Sequence, residues 1–373
     1  MALVGKVGEV SHKLDVLSPE EQRKNRVPQK DRLWEQSMKH KTMTSALMLL
    51  FVLVWFADVK SQPKDLVESA KSEGEFVFYS GIPVPDAQAL LSAFEKKYPF
   101  IKTTQYRATG PALVSRIETE QRAGRPVWDV MNSTGFEPYV LLEQGYFAKY
   151  DSVERKNFPA GHKDVEGFWT TMYTSPNLVT YNTRLVAPKD LPREYSDLLD
   201  PKWKGRLGLD TSDFEWYANL KKIWGAEKAQ HFLAGVKRQE VRLVQGRALL
   251  TELLGSGEFS LLVNNYLQNA IEAKRKGNSI EILALDPVIA ASGLVGINKS
   301  APHPNAARLF IDFILSKEGQ ELVVKSDRSS VRKDVAGNPI DMIKNVRIIP
   351  SDLNLGKSYL QTRDEYRQLL DIK

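Results

Sequence analysis

Two short apolar strands, each delivering the chain into a polar turn, constrain this fold more than any other feature of the sequence. Leu178 to Tyr181 ends at the turn Asn182-Thr183-Arg184. After the run DLLDPKWKG at 197–205, a second strand, Arg206 to Leu209, leads into Asp210, Thr211, Ser212 and Asp213. That tetrad lies where a helix beginning near Phe214 needs its cap. A strand feeding a helix N-terminus leaves backbone N–H groups free to meet a ligand, and the helix dipole favours an anion there.

The same alternation runs through the rest of the chain. Phe76 to Tyr79 is a short buried strand, and Ala87, Leu90, Leu91, Phe94 and Tyr98 then fall on one helical face that Pro99 ends. Ile101–Tyr106 and Val127–Met131 read as strands, with helices at Leu113–Arg122 and Glu137–Gln144. From near Tyr173 a second block adds strands at Phe259–Val263 and Ile280–Leu285. Its helices are Phe214–Trp224, Ala226–Val236, Arg247–Leu254 and Tyr266–Lys276. Pro287 and the apolar stretch Val288–Ile297 follow, then a helix from Pro304 to Leu315. The tail from Ser351 is polar and closes on an amphipathic helix, Tyr359 to Leu370. Alternating strands and helices predict an α/β fold with a mostly parallel sheet covered by helices.

Several chemistries are excluded at once. The chain has no cysteine, so it has no disulfide, thiolate metal site or cysteine nucleophile. Its formal charge of +6 is spread out: residues 1–41 carry +3, and residues 62–373 only another +3. With no clustered basic face and no nucleic-acid motif, nucleic acid is not the expected partner. His162, His231 and His303 show no metal-ligand spacing, and no Walker loop, Gly-x-Ser-x-Gly or dinucleotide fingerprint is present. These absences argue against an enzyme.

Four loops at strand ends are rich in hydroxyl groups or glycine: Tyr79-Ser80-Gly81, Thr109-Gly110, Asn132-Ser133-Thr134 and Thr211-Ser212-Asp213. Any one of them reads simply as a helix cap. Four at corresponding strand ends predict a shared cleft for a small polar ligand, because ligands of open α/β sheets sit beyond the C-terminal strand ends. Arg247, opening a helix, would pair bidentately with a carboxylate or phosphonate if it faced that cleft. Tyr181 is a further cleft candidate, and Trp216 and Tyr217 read as core.

The first 61 residues read as an extension plus a signal peptide. Met38-Lys39-His40-Lys41 precedes an uncharged run, Thr42 to Ala57, whose apolar core is 46–57. A basic patch, a short apolar core and small residues after it make an export signal, with cleavage expected after Ser61. An uncleaved membrane anchor is the alternative, although the core falls short of the roughly 20 residues a span needs.

Over about residues 74–335 the sequence resembles the periplasmic solute-binding proteins of ABC importers, in the branch that includes the ferric-iron binders. The likeness rests on DLLDPKWKG, on Asn264-Asn265-Tyr266, and on Pro304-Asn305 through Leu315 followed by Ser316-Lys-Glu-Gly-Gln320. It implies a two-lobe type II periplasmic-binding fold, with parallel or mixed sheets flanked by helices and a ligand cleft between the lobes. Two chain crossings would then divide it into lobe 1 (62–172 and 287–350), lobe 2 (173–286) and a C-terminal helix (351–373). It further implies export to the periplasm, permease and ATPase partners, action as a monomer, and capture of a solute by lobe closure. No cofactor is required, and Fe3+ with an accompanying anion would be cargo. Of the four iron ligands in the ferric binders, only one tyrosine position is kept, at Tyr266. Leu267 replaces the second tyrosine, Gly81-Ile82-Pro83 stands in the histidine region, and Ser133-Thr134 falls where the glutamate belongs. A lone tyrosinate is a poor site for a hard cation. An organic anion thus competes with iron, and a membrane-anchored sensor of the same fold is the alternative role.

Overall fold

The computed structural model describes residues 64–372. The export signal and its cleavage point lie outside the described residues. Along the chain the elements are α1 (Lys64–Glu73), β1 (Glu75–Ser80), α2 (Val84–Lys97), β2 (Lys102–Arg107), α3 (Pro111–Arg122), β3 (Val130–Ser133), α4 (Glu137–Glu143) and β4 (Phe147–Ala148). Then come β5 (Thr170–Asn182), β6 (Leu207–Asp210), α5 (Phe214–Trp224), α6 (Ala226–Arg238), β7 (Arg242–Val244), α7 (Arg247–Ser256), β8 (Leu261–Tyr266), α8 (Leu267–Arg275) and β9 (Ile280–Leu283). The last are β10 (Val288–Asn298), α9 (Pro304–Leu315), α10 (Lys317–Lys325), β11 (Ile348–Pro350) and α11 (Tyr359–Leu370).

The strands pair in the order β2-β1-β3-β10-β5-β8-β6-β7, with β4 and β11 on β10 and β9 on β5. Strands at each end are parallel, as the strand–helix alternation requires, and the two long central strands are antiparallel to each other. β5 changes partners along its length. Up to Pro176 it pairs with β10; from Asn177 it pairs with β8, and from Val179 with β9. This divides the sheet into a β1 side and a β6 side.

β5 is longer than its sequence suggests. Only Leu178–Tyr181 reads as an apolar strand, yet all 13 residues of β5 are buried. Its first part, Thr170 to Asn177, is polar and shows no period-2 pattern. Long-range partners hold it inside: Thr174 exchanges backbone bonds with Ser329, and Asn177 Nδ2 donates to the Ile289 carbonyl at 2.9 Å. α1 is likewise absent from the sequence reading. Its Glu73 accepts from the backbone N–H groups of Asn305 and Ala306, capping α9 with a charge suited to a helix N-terminus.

Each side has its own core. On the β1 side, Phe76, Phe94 and Phe310 pack together with tilted and edge-to-face rings, the closest 4.6 Å apart. The buried face of α2 is Ala87, Leu90, Leu91 and Phe94, as the helical spacing predicts. On the β6 side Trp203, Tyr195, Trp216, Phe232 and Tyr366 fill the interior. Full burial of one such ring contributes roughly 1.5–3 kcal/mol. Among the described residues no helix is long and apolar enough to cross a membrane.

Candidate functional site

Parallel strands on both sides release the chain at the same edge of the sheet, and the loops that follow surround one cavity of about 750 Å3. Ten of the residues singled out by sequence line it: Gly81, Thr109, Gly110, Ser133, Thr134, Thr211, Ser212, Asp213, Arg247 and Tyr266. Four do not reach it. Tyr79 is turned into the β1-side core, where its hydroxyl donates to Glu120 at 2.7 Å. Ser80 Oγ accepts from the Ile82 N–H and closes the turn. Asn132 is fully buried and donates to the Leu294 carbonyl at 2.9 Å, tying β3 to β10. Tyr181 belongs to the β6-side core. Strand residues alternate faces, so the position just before a loop often points into the sheet's covered face.

The lining is built from helix starts. Gly81-Ile82-Pro83 precedes α2, Thr109-Gly110 precedes α3, Asp213 precedes α5, Gly246 precedes α7 and Tyr266 precedes α8. None of these five N-termini receives a hydrogen bond from its capping side chain. α10, away from the cavity, is capped by Ser316. These five helix starts turn the positive ends of their dipoles toward the cavity.

Asp213 shows why capping was the wrong expectation for it. Its carboxylate turns from the α5 N-terminus to Arg247 and accepts from Asn264 Nδ2 at 2.9 Å. Asp213 is fully buried, and burial pushes its carboxyl up to about 7 although Arg247 beside it pulls the other way. The Arg247 guanidinium also lies 3.9 Å above the Tyr266 ring, and its Nε has no partner among the described residues. Asp210 orders the surrounding backbone: it accepts from Ser212 N and Oγ and from the Gly246 N–H at 3.0 Å. Arg247 is thus held by a buried ion pair on one side and an aromatic face below.

Groups from the two sides face each other across the cavity. The Thr134 side chain acts on the Tyr266 phenol and the Gly135 N–H on the Glu215 carboxylate, each favouring the ionised form. Glu137 lies opposite. Its carboxyl is pushed up to about 7, by burial first and by the nearby Glu215 charge second. Burial likewise raises Glu215 and the Tyr266 phenol.

Sequence reasoning missed Arg107, Glu137, Arg328, Tyr359 and Arg363, all of which line the cavity. Arg328 pairs with Asp86 of α2 at 2.7 Å and sits 5.3 Å over Tyr173. These residues come from a strand end, a helix start, a late loop and the tail, and no local pattern marks them. Trp216 and Tyr217 are core residues, as expected. Leu267 is fully buried, so the position beside Tyr266 supplies packing and no oxygen. Among the described residues no group of three or more His, Asp or Glu side chains is gathered where it would hold a metal ion.

A family model described as bacterial extracellular solute-binding protein matches residues 139–352, more than half of the chain. The chain belongs to that family. The major ferric iron-binding protein of Neisseria meningitidis is 26% identical over 292 residues, covering 74% of this chain and 84% of that protein. Iron-bound HitA from Pseudomonas aeruginosa has the same fold, with a TM-score of 0.70 at 24% identity, covering 79% of this chain and 99% of HitA. AfuA from Actinobacillus pleuropneumoniae, solved with fructose 6-phosphate bound, gives a TM-score of 0.71 at 22% identity, covering 80% and 99%. The fold is therefore the two-lobe, type II periplasmic-binding fold, with the cavity in the cleft between lobes.

Proposed function

We propose that this solute-binding protein captures a small organic anion and delivers it to the permease and ATPase of an ABC importer from the periplasmic side, acting as a monomer. The lobes of the proposal are 62–172 with 287–350, and 173–286. One observation carries the choice of ligand: five uncapped helix N-termini and the anchored Arg247 face a single cavity. Such a site stabilises carboxylate, phosphate or phosphonate oxygens through backbone N–H groups and a guanidinium edge. Loop hydroxyls at Thr109, Ser133, Thr134, Thr211 and Ser212 suit the neutral part of the ligand. Two relatives frame the alternatives, since HitA was solved with iron and AfuA with a sugar phosphate.

Ferric iron is the second reading, favoured by Tyr266. Three features weigh against it. A guanidinium sits on the Tyr266 ring, burial raises the phenol, and the neighbouring position is a buried leucine. A ferric ion must displace the phenolic proton to bind, and the adjacent fixed cation opposes a trivalent one.

The test uses protein exported and purified without added ligand. Titration calorimetry with fructose 6-phosphate, citrate and methylphosphonate should detect binding that Arg247→Ala abolishes. Ferric citrate should give no visible tyrosinate-to-iron band. A band that Tyr266→Phe removes would overturn the organic-anion reading in favour of iron.

A further inference from the structure

The tail contributes to the cleft in a way that neither the family match nor the strand-end loops foreshadow. The match ends at residue 352, yet residues 351–372 run across both lobes. On lobe 1, Gly356 packs directly on Tyr139 of α4; a Cβ there would come within 2.5 Å of the ring. Tyr359 then lies between rings from opposite lobes, Phe136 at 6.0 Å and Phe214 at 6.2 Å. From this point α11 docks on lobe 2. Glu365 accepts from Tyr217, Lys221 and Gln230, and the fully buried Tyr366 donates to the Asp210 carbonyl at 2.6 Å.

The docking sets what α11 presents to the cavity. Residues four apart share a helix face. Thr362, Tyr366 and Leu370 are buried, and the neighbouring stripe of Tyr359, Arg363 and Arg367 lines the cavity. Burial raises the Tyr359 phenol, with the Glu137 carboxylate adding to the effect and Arg363 opposing it. Arg363 differs from Arg247 in its partner. Its carboxylate, Asp364, is the next residue in the chain, and the two side chains are 35% and 63% exposed. A pair that exposed holds its guanidinium only weakly, so an incoming anion can recruit it.

We propose that the C-terminal strap is a third, ligand-contacting wall of the cleft. Arg363 engages the outer end of the bound anion, and Tyr359, wedged between the lobes, slows its release. Two positively charged walls, Arg247 at one and Arg363 at the other, select anions with a second polar or charged end over a bare small anion. This rests on the organic-anion reading above.

The test is calorimetry and stopped-flow release on the exported chain, with fructose 6-phosphate, citrate and inorganic phosphate as probes. Arg363→Ala should weaken fructose 6-phosphate or citrate about tenfold and leave inorganic phosphate nearly unchanged. Arg363→Lys should recover part of the loss, and the thermal midpoint of both variants should match the parent. Tyr359→Ala should speed release about tenfold. Parent-like affinity in Arg363→Ala together with parent-like release in Tyr359→Ala would overturn the proposal. Should the parent bind none of the probes, the organic-anion reading fails, and the strap is decided without ligand. Spin labels at Glu143→Cys and Lys228→Cys then report the spacing of the lobes. Tyr359→Ala should broaden that distance, and an unchanged distribution overturns the role of Tyr359 as a wedge between the lobes.

Discussion

The two faces of the cleft use different chemistry for one task. On the β1 side the cavity is met by short hydroxyl and glycine loops ahead of α2 and α3, and in the proposed function the N–H groups of the helix starts would do the recognising. On the β6 side it is met by charged side chains locked into a buried network: Asp210, Asp213, Arg247, Asn264 and the Tyr266 ring. Backbone donors are fixed by the fold and tolerate side-chain change. A buried ion pair depends on every member, because removing one leaves the other uncompensated. The β6 side should therefore be sensitive to substitution, and the β1 side sensitive mainly to backbone distortion.

The largest expected effect is on the β6 side. Arg247→Ala strands the buried Asp213, so urea unfolding should show a loss of about 3–5 kcal/mol. Calorimetry with fructose 6-phosphate or citrate should show affinity down about a hundredfold or more, the loss expected when a buried charged donor is removed. A variant of unchanged stability would break the comparison at its strongest point.

On the β1 side the corresponding blow is to backbone. Gly110 has φ of +57° at the start of α3, and a Cβ there would approach Glu137 Oε1 to 3.5 Å. Gly110→Ala should cost about 1–3 kcal/mol from strain and displace the α3 N–H groups, weakening binding about tenfold. If Gly110→Ala binds normally, the α3 N-terminus does not recognise the ligand.

A proton links the two faces. Glu137 and Glu215 approach each other across the cleft, and burial pushes Glu137 from an ordinary 4.5 up to about 7. The folded form therefore holds a proton that the unfolded chain releases. That stabilisation is fully present below the ordinary carboxyl range and is lost as pH rises through about 7. Burial raises Asp213 and Glu215 in the same direction. Ligand-free protein should lose stability between pH 5 and 8 in urea titrations, and Glu137→Gln should flatten part of that slope. A parent curve that rises over this range contradicts the placement of these carboxyls.

The smallest effect is Thr109→Ala, which removes a hydroxyl and leaves the α3 backbone in place. Calorimetry should show affinity within about threefold of the parent, in line with a neutral hydrogen bond of about 0.5 kcal/mol. A loss as large as that of Arg247→Ala would mean that the β1 side, too, recognises by side chains.

Local sequence determined much of this molecule. The buried face of α2, the strand–turn–helix run at Leu207–Phe214 and the extents of α9 and α11 follow from periodicity, proline and glycine, which act over a few residues. Hydroxyl and glycine loops at strand ends marked part of the cavity's edge for the same reason. Tertiary structure decided the rest. It turned Tyr79, Asn132 and Tyr181 into the interior, because the face of a strand residue depends on register against its neighbours. It made one buried strand of the polar stretch Thr170–Asn177, whose groups find partners only in segments far along the chain. It drew Asp213 away from its helix cap to Arg247, 34 residues later, and brought Arg328, Tyr359 and Arg363 to a cavity whose lining begins at Gly81. Short-range propensity carries no information about such meetings; they follow from how two sheets and a tail pack around one cleft.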